Sequence, residues 1–175
     1  MISVAVIGGG ASGMAFAVAL KQKRPDIEVT VFEKNPKVLK KILVTGNGRC
    51  NILNFDAVAE NYFEACEFVR PAVEKYAPKK TEAIFRDMGL LLMSEQEGRA
   101  YPISQTAASV VCVLSSAAER AGVKVFTDTP VKSIKKSQGR FVINNDKSFD
   151  FAVIACGGAA APKQGTDGSS FELFK

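Results

Sequence analysis

The sequence predicts an α/β domain built around a parallel β-sheet. Residues 2–7 form a short β-branched run, typical of a buried strand, and residues 14–23 are alanine-rich and favour a helix. Glu28–Phe32 then alternates apolar and polar side chains, as a second strand does. Strand, helix and strand in this order predict a βαβ unit, whose crossover connection joins parallel strands.

The remaining elements follow in mixed order. We predict helices over residues 61–76, 80–88 and 105–121, and strands over residues 90–93, 123–126, 130–135, 140–144 and 149–155. A polar turn at Gly139 joins two of these strands, which predicts a small antiparallel meander. Residues 34–54 show no periodicity, and long connections of this kind are often functional.

Composition narrows the class of protein. The 175 residues are 47% hydrophobic and 23% charged, as in a soluble globular domain, so we treat residues 1–175 as one domain. No apolar run approaches the roughly 20 residues that span a bilayer, and the N-terminus lacks the basic segment of a secretory signal. We therefore expect a cytoplasmic protein without a membrane partner.

The residue types present also limit the chemistry. The chain contains no histidine, and none of its four cysteines forms a CxxC pair, so we expect neither a metal site nor a histidine-based triad. The net charge of +5 permits a nucleic-acid partner. No motif that mixes aromatic and basic residues supports one, so we expect no nucleic acid to bind. The cations that follow the βαβ unit are better suited to offset a bound pyrophosphate.

A glycine motif between the first strand and helix points to a dinucleotide. Gly8, Gly10 and Gly13 follow the GxGxxG spacing. Gly8 allows a tight turn, Gly10 lets a pyrophosphate approach the backbone, and Gly13 lets the helix pack against the strand. Ala11 and Ser12 belong to this turn, which leads into a helix whose N-terminus attracts phosphate, and Ser12 can add a hydroxyl donor.

An acidic residue closes the second strand. Glu33 lies 20 residues after Gly13, the spacing of the residue that binds ribose in dinucleotide folds. Its carboxylate is expected to accept both ribose hydroxyls of the AMP half. The same charge repels a 2′-phosphate, so the site should not hold NADP.

Two further segments are candidate cofactor contacts. The TGNGRCN segment contains glycines and asparagines that favour left-handed backbone and exposed N–H groups. Its Arg49 is suited to pair with a phosphate or with charge on a ring, and its Cys50 is either a redox thiol or a packed residue that lines a cofactor. Farther on, residues 151–162 run from an apolar strand into Gly157 and Gly158, at the strand end where such sheets bind ligands.

Together these motifs resemble one family. The segments VIGGGASGMAFA, VFEK, KKILVTGNGRCNILN, EGRAYPISQTAASVVCVL and VIACGGAAAPKQGTDG occur in the order found in HI0933-like, or aminoacetone oxidase family, NAD(P)/FAD-dependent oxidoreductases. The resemblance implies a glutathione-reductase-like FAD-binding Rossmann domain with a small antiparallel meander. It also implies that the chain is the N-terminal part of a longer protein, without the substrate domain and the returning segment.

The resemblance also assigns cofactor contacts. Glycine-turn residues would bind the pyrophosphate, Glu33 the ribose, and Val131 the adenine through the backbone of a strand. The remaining FAD contacts would come from the segments after the second and last strands: Lys34, Lys41, Thr45, Gly46, Gly48, Arg49, Cys50, Asn51, Ala155, Gly157 and Gly158.

The leading hypothesis is therefore an FAD-dependent oxidoreductase. It would pass hydride between FAD and an unknown small substrate or NAD(P)H. Two alternatives are a non-catalytic dinucleotide-binding module and a flavoprotein that modifies RNA. No catalytic residue is assigned, although Tyr101 and Cys50 are the candidates for an acid or base, and apolar surface left by the missing segments favours pairing with another copy.

Overall fold

The computed structural model describes residues 1–159 and 161–174. Ala160 falls in the predicted glycine- and alanine-rich loop and Lys175 in the terminal segment, and both lie outside the described residues. Two compact units form, one from Met1–Ile42 with Leu114–Lys175 and the other from Leu43–Val113.

The described residues contain the following strands and α-helices, numbered in chain order: β1 (Ser3–Ile7), α1 (Ala11–Lys23), β2 (Glu28–Phe32), β3 (Leu53–Asn54), α2 (Cys66–Lys75), α3 (Pro78–Asp87), β4 (Leu92–Ser94), β5 (Arg99–Pro102), α4 (Ala107–Arg120), β6 (Lys124–Phe126), β7 (Ile134–Ser137), β8 (Arg140–Ile143), β9 (Lys147–Phe149) and β10 (Phe151–Ile154). Short 3₁₀ helices occupy several connections, including Lys40–Val44 and Gly46–Gly48. No helix in this part of the chain is both long and apolar enough to cross a bilayer.

The first unit contains the predicted parallel sheet. Its strand order is β10-β1-β2-β6, and every neighbouring pair is parallel. All five residues of β1 are buried, as expected for a central strand with both faces covered. The prediction of a Rossmann-type α/β fold is thus confirmed, and β2 has the predicted bounds.

The predicted antiparallel meander is confirmed as the three-stranded sheet β7-β8-β9. However, the strand predicted over residues 130–135 begins only at Ile134, so the placement of Val131 on a strand is wrong. The Asn144 side chain explains the difference. Its Oδ1 accepts the Lys132 and Ser133 backbone N–H groups at 2.7 and 3.3 Å, and its Nδ2 donates to the Pro130 carbonyl at 3.0 Å. These backbone groups therefore bond to a side chain instead of a neighbouring strand.

The last predicted strand, over residues 149–155, is two strands in the structure. β9 pairs with the meander, and β10 pairs in parallel with β1. Asp150 lies between them, and its carboxylate accepts the Ser3 N–H at 2.7 Å and the Ser3 hydroxyl at 2.8 Å. This anchor turns the chain from one sheet to the other.

The second unit contains a three-stranded antiparallel sheet, β3-β5-β4, with α2 and α3. The single helix predicted over residues 61–76 is wrong in its first part. A 3₁₀ segment over Ala59–Ala65 precedes α2, and it is kinked at Phe63, whose φ is +48°. The two-residue strand β3 falls inside the long aperiodic connection and was not predicted.

Candidate dinucleotide-binding site

The turn between β1 and α1 is built by close backbone contacts. Gly8 has a φ of +107°, which side chains rarely adopt, and a Cβ there would lie 2.6 Å from the Ala155 carbonyl oxygen. A Cβ at Gly13 would lie 2.0 Å from the Gly8 carbonyl oxygen. Both positions therefore require glycine for the fold itself, because α1 and β10 approach the turn too closely for a side chain.

The N-terminus of α1 has unused donors. Gly10 is the N-cap and offers no side-chain cap, and the first turn contains no acidic residue. Within the described residues, no acceptor is bonded to the N–H groups of Ala11, Ser12 or Gly13. In the part of the chain that the structure describes, no atom beyond the adjacent residues lies within 4 Å of the position of a Cβ on Gly10. A helix end with free N–H groups, a positive partial charge and an open approach is suited to a phosphate.

Glu33 lies beside this turn, directly after β2. Glu33 is only 7% exposed, and its Oε2 accepts the Gly9 N–H at 2.7 Å. Its Oε1 accepts the backbone N–H of Asn35 at 2.8 Å and the Asn35 Nδ2 at 2.6 Å. The structure therefore brings the predicted ribose ligand and the predicted phosphate turn together through Gly9.

Sequence reasoning missed Gly9 and Asn35. A Cβ on Gly9 would lie 2.6 Å from Val38 Cγ1 and 3.1 Å from Glu33 Cβ, so the two neighbouring side chains leave no room for a side chain at this middle glycine. The only sequence signal was that three glycines occur in a row. No signal marked Asn35, since its contact depends on how the chain turns after β2.

The strand end at Ala155 is also held against the glycine turn. The Ala155 N–H donates to the Ile7 carbonyl at 2.8 Å, which extends the β1–β10 pairing up to Gly8. The next thiol, Cys156, points its Sγ at the same carbonyl at 3.2 Å. Burial raises the pKa of the Cys156 thiol above its ordinary value, and the Glu33 charge adds to the rise. The raised pKa disfavours the reactive thiolate, and the contact with the Ile7 carbonyl indicates a packing role for this side chain.

Gly157 and Gly158 are bonded to the following segment. The Gly157 carbonyl accepts the Ser170 hydroxyl at 3.1 Å, and the Gly158 carbonyl accepts the Gly168 N–H at 3.2 Å. In the same segment, Asp167 lies 3.0 Å from the Lys34 ammonium. The Ser169 hydroxyl and that ammonium hold the pKa of Asp167 well below its usual range. Lys34, predicted as a cofactor contact, is thus part of an ion pair.

The TGNGRCN segment belongs to the second unit and has the predicted left-handed backbone. Gly46, Asn47, Gly48 and Cys50 all have φ between 53° and 80°. Cys50 is 5% exposed, and burial raises the pKa of its thiol. Of the two interpretations of Cys50, this geometry favours the packed residue over the redox thiol, because the thiolate is the reactive form.

Arg49 is engaged within its own unit. Its Nη1 lies 2.9 Å from Glu95 Oε1 and 3.0 Å from Gln105 Oε1, and its guanidinium lies 4.0 Å from the centre of the Tyr101 ring. Tyr101 is only 4% exposed. The arginine therefore fixes the loop through an ion pair and a cation–π contact.

The remaining predicted contacts are placed as follows. Lys41 is half-buried in the 3₁₀ helix Lys40–Val44, and Val131 packs against the cluster that contains Ile7 and Phe32. Thr45 and Asn51 bound the left-handed loop. Among the described residues, no group of three or more histidine, cysteine or acidic side chains is arranged to hold a metal ion. The cofactor roles of all these residues stay predictions.

Comparison with known proteins identifies related chains. The family model for the HI0933-like protein Rossmann domain matches residues 2–175. A protein of Clostridium scindens named 3-dehydro-bile acid delta(4,6)-reductase is 38% identical over all of this chain, which covers 44% of that protein. A protein of Haemophilus influenzae named ribosomal RNA dihydrouridine synthase is 25% identical over 96% of this chain and is covered to 43%. The chain thus spans less than half the length of either relative.

Solved structures share the fold at low identity. THI4 of Thermovibrio ammonificans aligns over 89% of this chain and 57% of its own, with a TM-score of 0.58 and 18% identity. CtdE, solved in complex with FAD and a substrate, aligns over 90% of this chain and 38% of its own, with a TM-score of 0.51 and 16% identity. At this identity, the likeness supports the Rossmann fold alone.

Proposed function

Since the chain belongs to the HI0933-like Rossmann-domain family, we propose that its βαβ unit binds FAD and that the protein is a flavin-dependent oxidoreductase. The observation that carries this proposal is the pairing of two features at one turn. The N-terminus of α1 presents unbonded N–H groups, and the Glu33 carboxylate bonds to Gly9 in the same turn.

The residues at this turn fit the ADP half of FAD. A diphosphate would be held by the N–H groups of the first turn of α1, and the open space beyond Gly10 leaves room for it. The AMP ribose would lie beside Glu33, where a carboxylate disfavours the 2′-phosphate of NADP. Bound FAD would supply hydride transfer, and the protein would supply binding, orientation and electrostatics.

The substrate is proposed from the relatives. The relative at 38% identity is named as a reductase of a bile acid derivative, which favours a small unsaturated substrate for this protein too. NAD(P)H is the proposed source of electrons. Cys50 and Tyr101 are both buried, so we assign neither as an acid or base.

A second candidate is a flavoprotein that acts on RNA. One observation favours it, namely the relative named ribosomal RNA dihydrouridine synthase at 25% identity. The chain's net charge of +5 is compatible with this function. If it is correct, the purified protein should retain RNA on a filter, and retention should fall steeply with salt. RNA retention that is absent or insensitive to salt would rule out this candidate.

Flavin binding is tested on the purified protein with a Gly10→Val variant. We expect the wild-type protein to show the flavin absorbance bands, or to gain them on reconstitution, and Gly10→Val to bind FAD at least about tenfold more weakly because the side chain fills the phosphate approach. A Cβ at this position meets no neighbouring atom within 4 Å among the described residues, so any fall in melting temperature should be limited to the loss of about 1 kcal/mol that a poor N-cap residue causes. A wild-type protein that takes up no flavin would refute the proposal, and unchanged FAD affinity in Gly10→Val would show that the turn is misassigned.

Catalysis requires a separate measurement. Rapid mixing of the flavin-loaded protein with NADH or NADPH should bleach the flavin absorbance. A protein that binds FAD tightly but is reduced by neither donor, and that turns over no unsaturated substrate, would instead be a non-catalytic dinucleotide-binding module.

A further inference from the structure

The two oxygens of the Glu33 carboxylate receive different numbers of hydrogen bonds. Oε1 receives two donors, the backbone N–H of Asn35 at 2.8 Å and the side-chain Nδ2 at 2.6 Å. Among the described residues, Oε2 receives one donor, the Gly9 N–H at 2.7 Å. A carboxylate offers about two acceptor positions on each oxygen. Oε1 is therefore saturated, and Oε2 has a single position left for a ligand.

Asn35 is itself fixed by neighbouring backbone. The backbone carbonyl of Asn35 accepts the Asp128 N–H at 3.1 Å. A Cβ on Gly165 would lie only 2.8 Å from the Asn35 Nδ2. The Glu33 carbonyl accepts the Thr129 N–H at 2.8 Å, which holds the same turn from the segment after β6. The two hydrogen bonds hold the backbone of this turn in place, and the Gly165 backbone lies beside the Asn35 amide, with no room there for a side chain.

From this geometry we infer that Asn35 is a positioning residue that saturates Glu33 Oε1, so that the carboxylate receives only one ribose hydroxyl, on Oε2. This inference rests on the proposed binding of the ADP half of FAD. It revises the sequence expectation that Glu33 accepts both hydroxyls. In dinucleotide folds the acidic residue bonds to the 2′-hydroxyl, so that hydroxyl is the one we assign.

The test compares ADP with its 2′-deoxy and 3′-deoxy analogues by isothermal titration calorimetry. A hydrogen bond to a charged group contributes about 1.5–3 kcal/mol, and 1.4 kcal/mol corresponds to a factor of ten. We therefore expect 2′-deoxy-ADP to bind the wild-type protein at least about tenfold more weakly than ADP, and 3′-deoxy-ADP to bind within about twofold of it. Similar losses for both analogues would overturn the inference.

Two variants at Asn35 isolate its role. Asn35→Leu keeps the approximate size of the side chain and removes the Nδ2 donor without adding a charge beside Glu33, and Asn35→Ala removes the side chain beyond Cβ. In both variants, Oε1 regains an open acceptor position. The dissociation constants of the two deoxy analogues should therefore come to lie within about twofold of each other. A variant that keeps the wild-type ratio would contradict the positioning role, whatever happens to its stability or to its overall affinity.

Lys37→Ala is the matched control. Lys37 is exposed in the same segment, and its loss should change overall affinity for ADP while leaving the ratio between the analogues at about tenfold. Failure of the inference and failure of the proposed function are distinguishable. If the wild-type protein binds neither FAD nor ADP, the proposed function fails; if it binds ADP without preference between the hydroxyls, only the role of Asn35 fails.

Discussion

Gly13→Ala gives the sharpest test of how the turn is built. Gly13 occupies the third position of α1, where helix propensity alone favours alanine over glycine by up to about 1 kcal/mol. A Cβ at this position would lie 2.0 Å from the Gly8 carbonyl oxygen, far inside contact distance. The neighbour is backbone rather than a flexible side chain, so the contact is relieved only if α1 moves away from β1.

The magnitude follows from the two opposing effects. Overpacking typically destabilises by about 1–3 kcal/mol, and a contact this short with backbone belongs at the upper end. After the propensity gain is subtracted, we expect a net loss of about 2 kcal/mol. For a chain of this size the melting temperature should fall by about 4–8 °C.

The assay is thermal unfolding followed by circular dichroism without added flavin, with Gly10→Ala as the matched control. The Cβ of that control meets no neighbouring atom within 4 Å among residues 1–159 and 161–174, and its φ of −76° suits any residue, so its stability should stay within about 1 kcal/mol of wild type. A Gly13→Ala protein that melts at or above the wild-type temperature would refute the close approach of helix and turn.

Two further predictions concern charged groups. The Ser3 N–H and hydroxyl, together with Arg140, hold the pKa of Asp150 below its ordinary value. The ionised carboxylate therefore stabilises the fold at any pH above the ordinary pKa of an aspartate. This stabilisation is lost as the pH falls through the lowered pKa of the folded protein. Asp150→Asn should give a melting temperature that depends less on pH below about pH 4, and an unchanged acid dependence would contradict this. Arg49→Lys keeps the charge but loses the planar group that stacks on Tyr101 and pairs with Glu95, so proteolysis within residues 45–51 should become faster. Lys75→Ala is the surface control. Cleavage of Arg49→Lys at the wild-type rate would argue that Arg49 does not fix the loop.

Local pattern was sufficient for the central sheet and insufficient for the antiparallel parts. β1 and β2 are buried along almost their whole length. Burial of this kind requires a continuous apolar or alternating run of residues, and such a run predicts a strand from the sequence alone. The start of β7 depends on the Asn144 side chain, which bonds to backbone about a dozen residues earlier. A tertiary contact of this kind leaves no periodic signal. The division at Asp150 likewise depends on Ser3 at the opposite end of the chain.

The candidate site shows the same limit. Motif spacing located Gly8, Gly10, Gly13 and Glu33, because the roles of these residues follow from the geometry of a strand–turn–helix unit. It did not reveal that Arg49 is paired with a carboxylate, since Glu95 lies 46 positions along the chain. Spacing identifies where a site lies, whereas the pairing state of its charged groups depends on long-range packing.

The glycines of the turn separate what the fold requires from what a ligand would require. Gly8 and Gly13 are constrained by backbone within 3 Å, and Gly9 by Val38 together with the Glu33 side chain. At Gly10 none of the described residues lies close enough to exclude a Cβ, although the N-cap position favours serine, threonine, asparagine or aspartate for stability. The fold does not need a glycine at this position, and the N–H groups of the helix end have no acceptor among the described residues. Both features are explained if a group from outside the protein approaches this turn. The free space at Gly10, more than the motif spacing, therefore supports an anionic ligand at this turn.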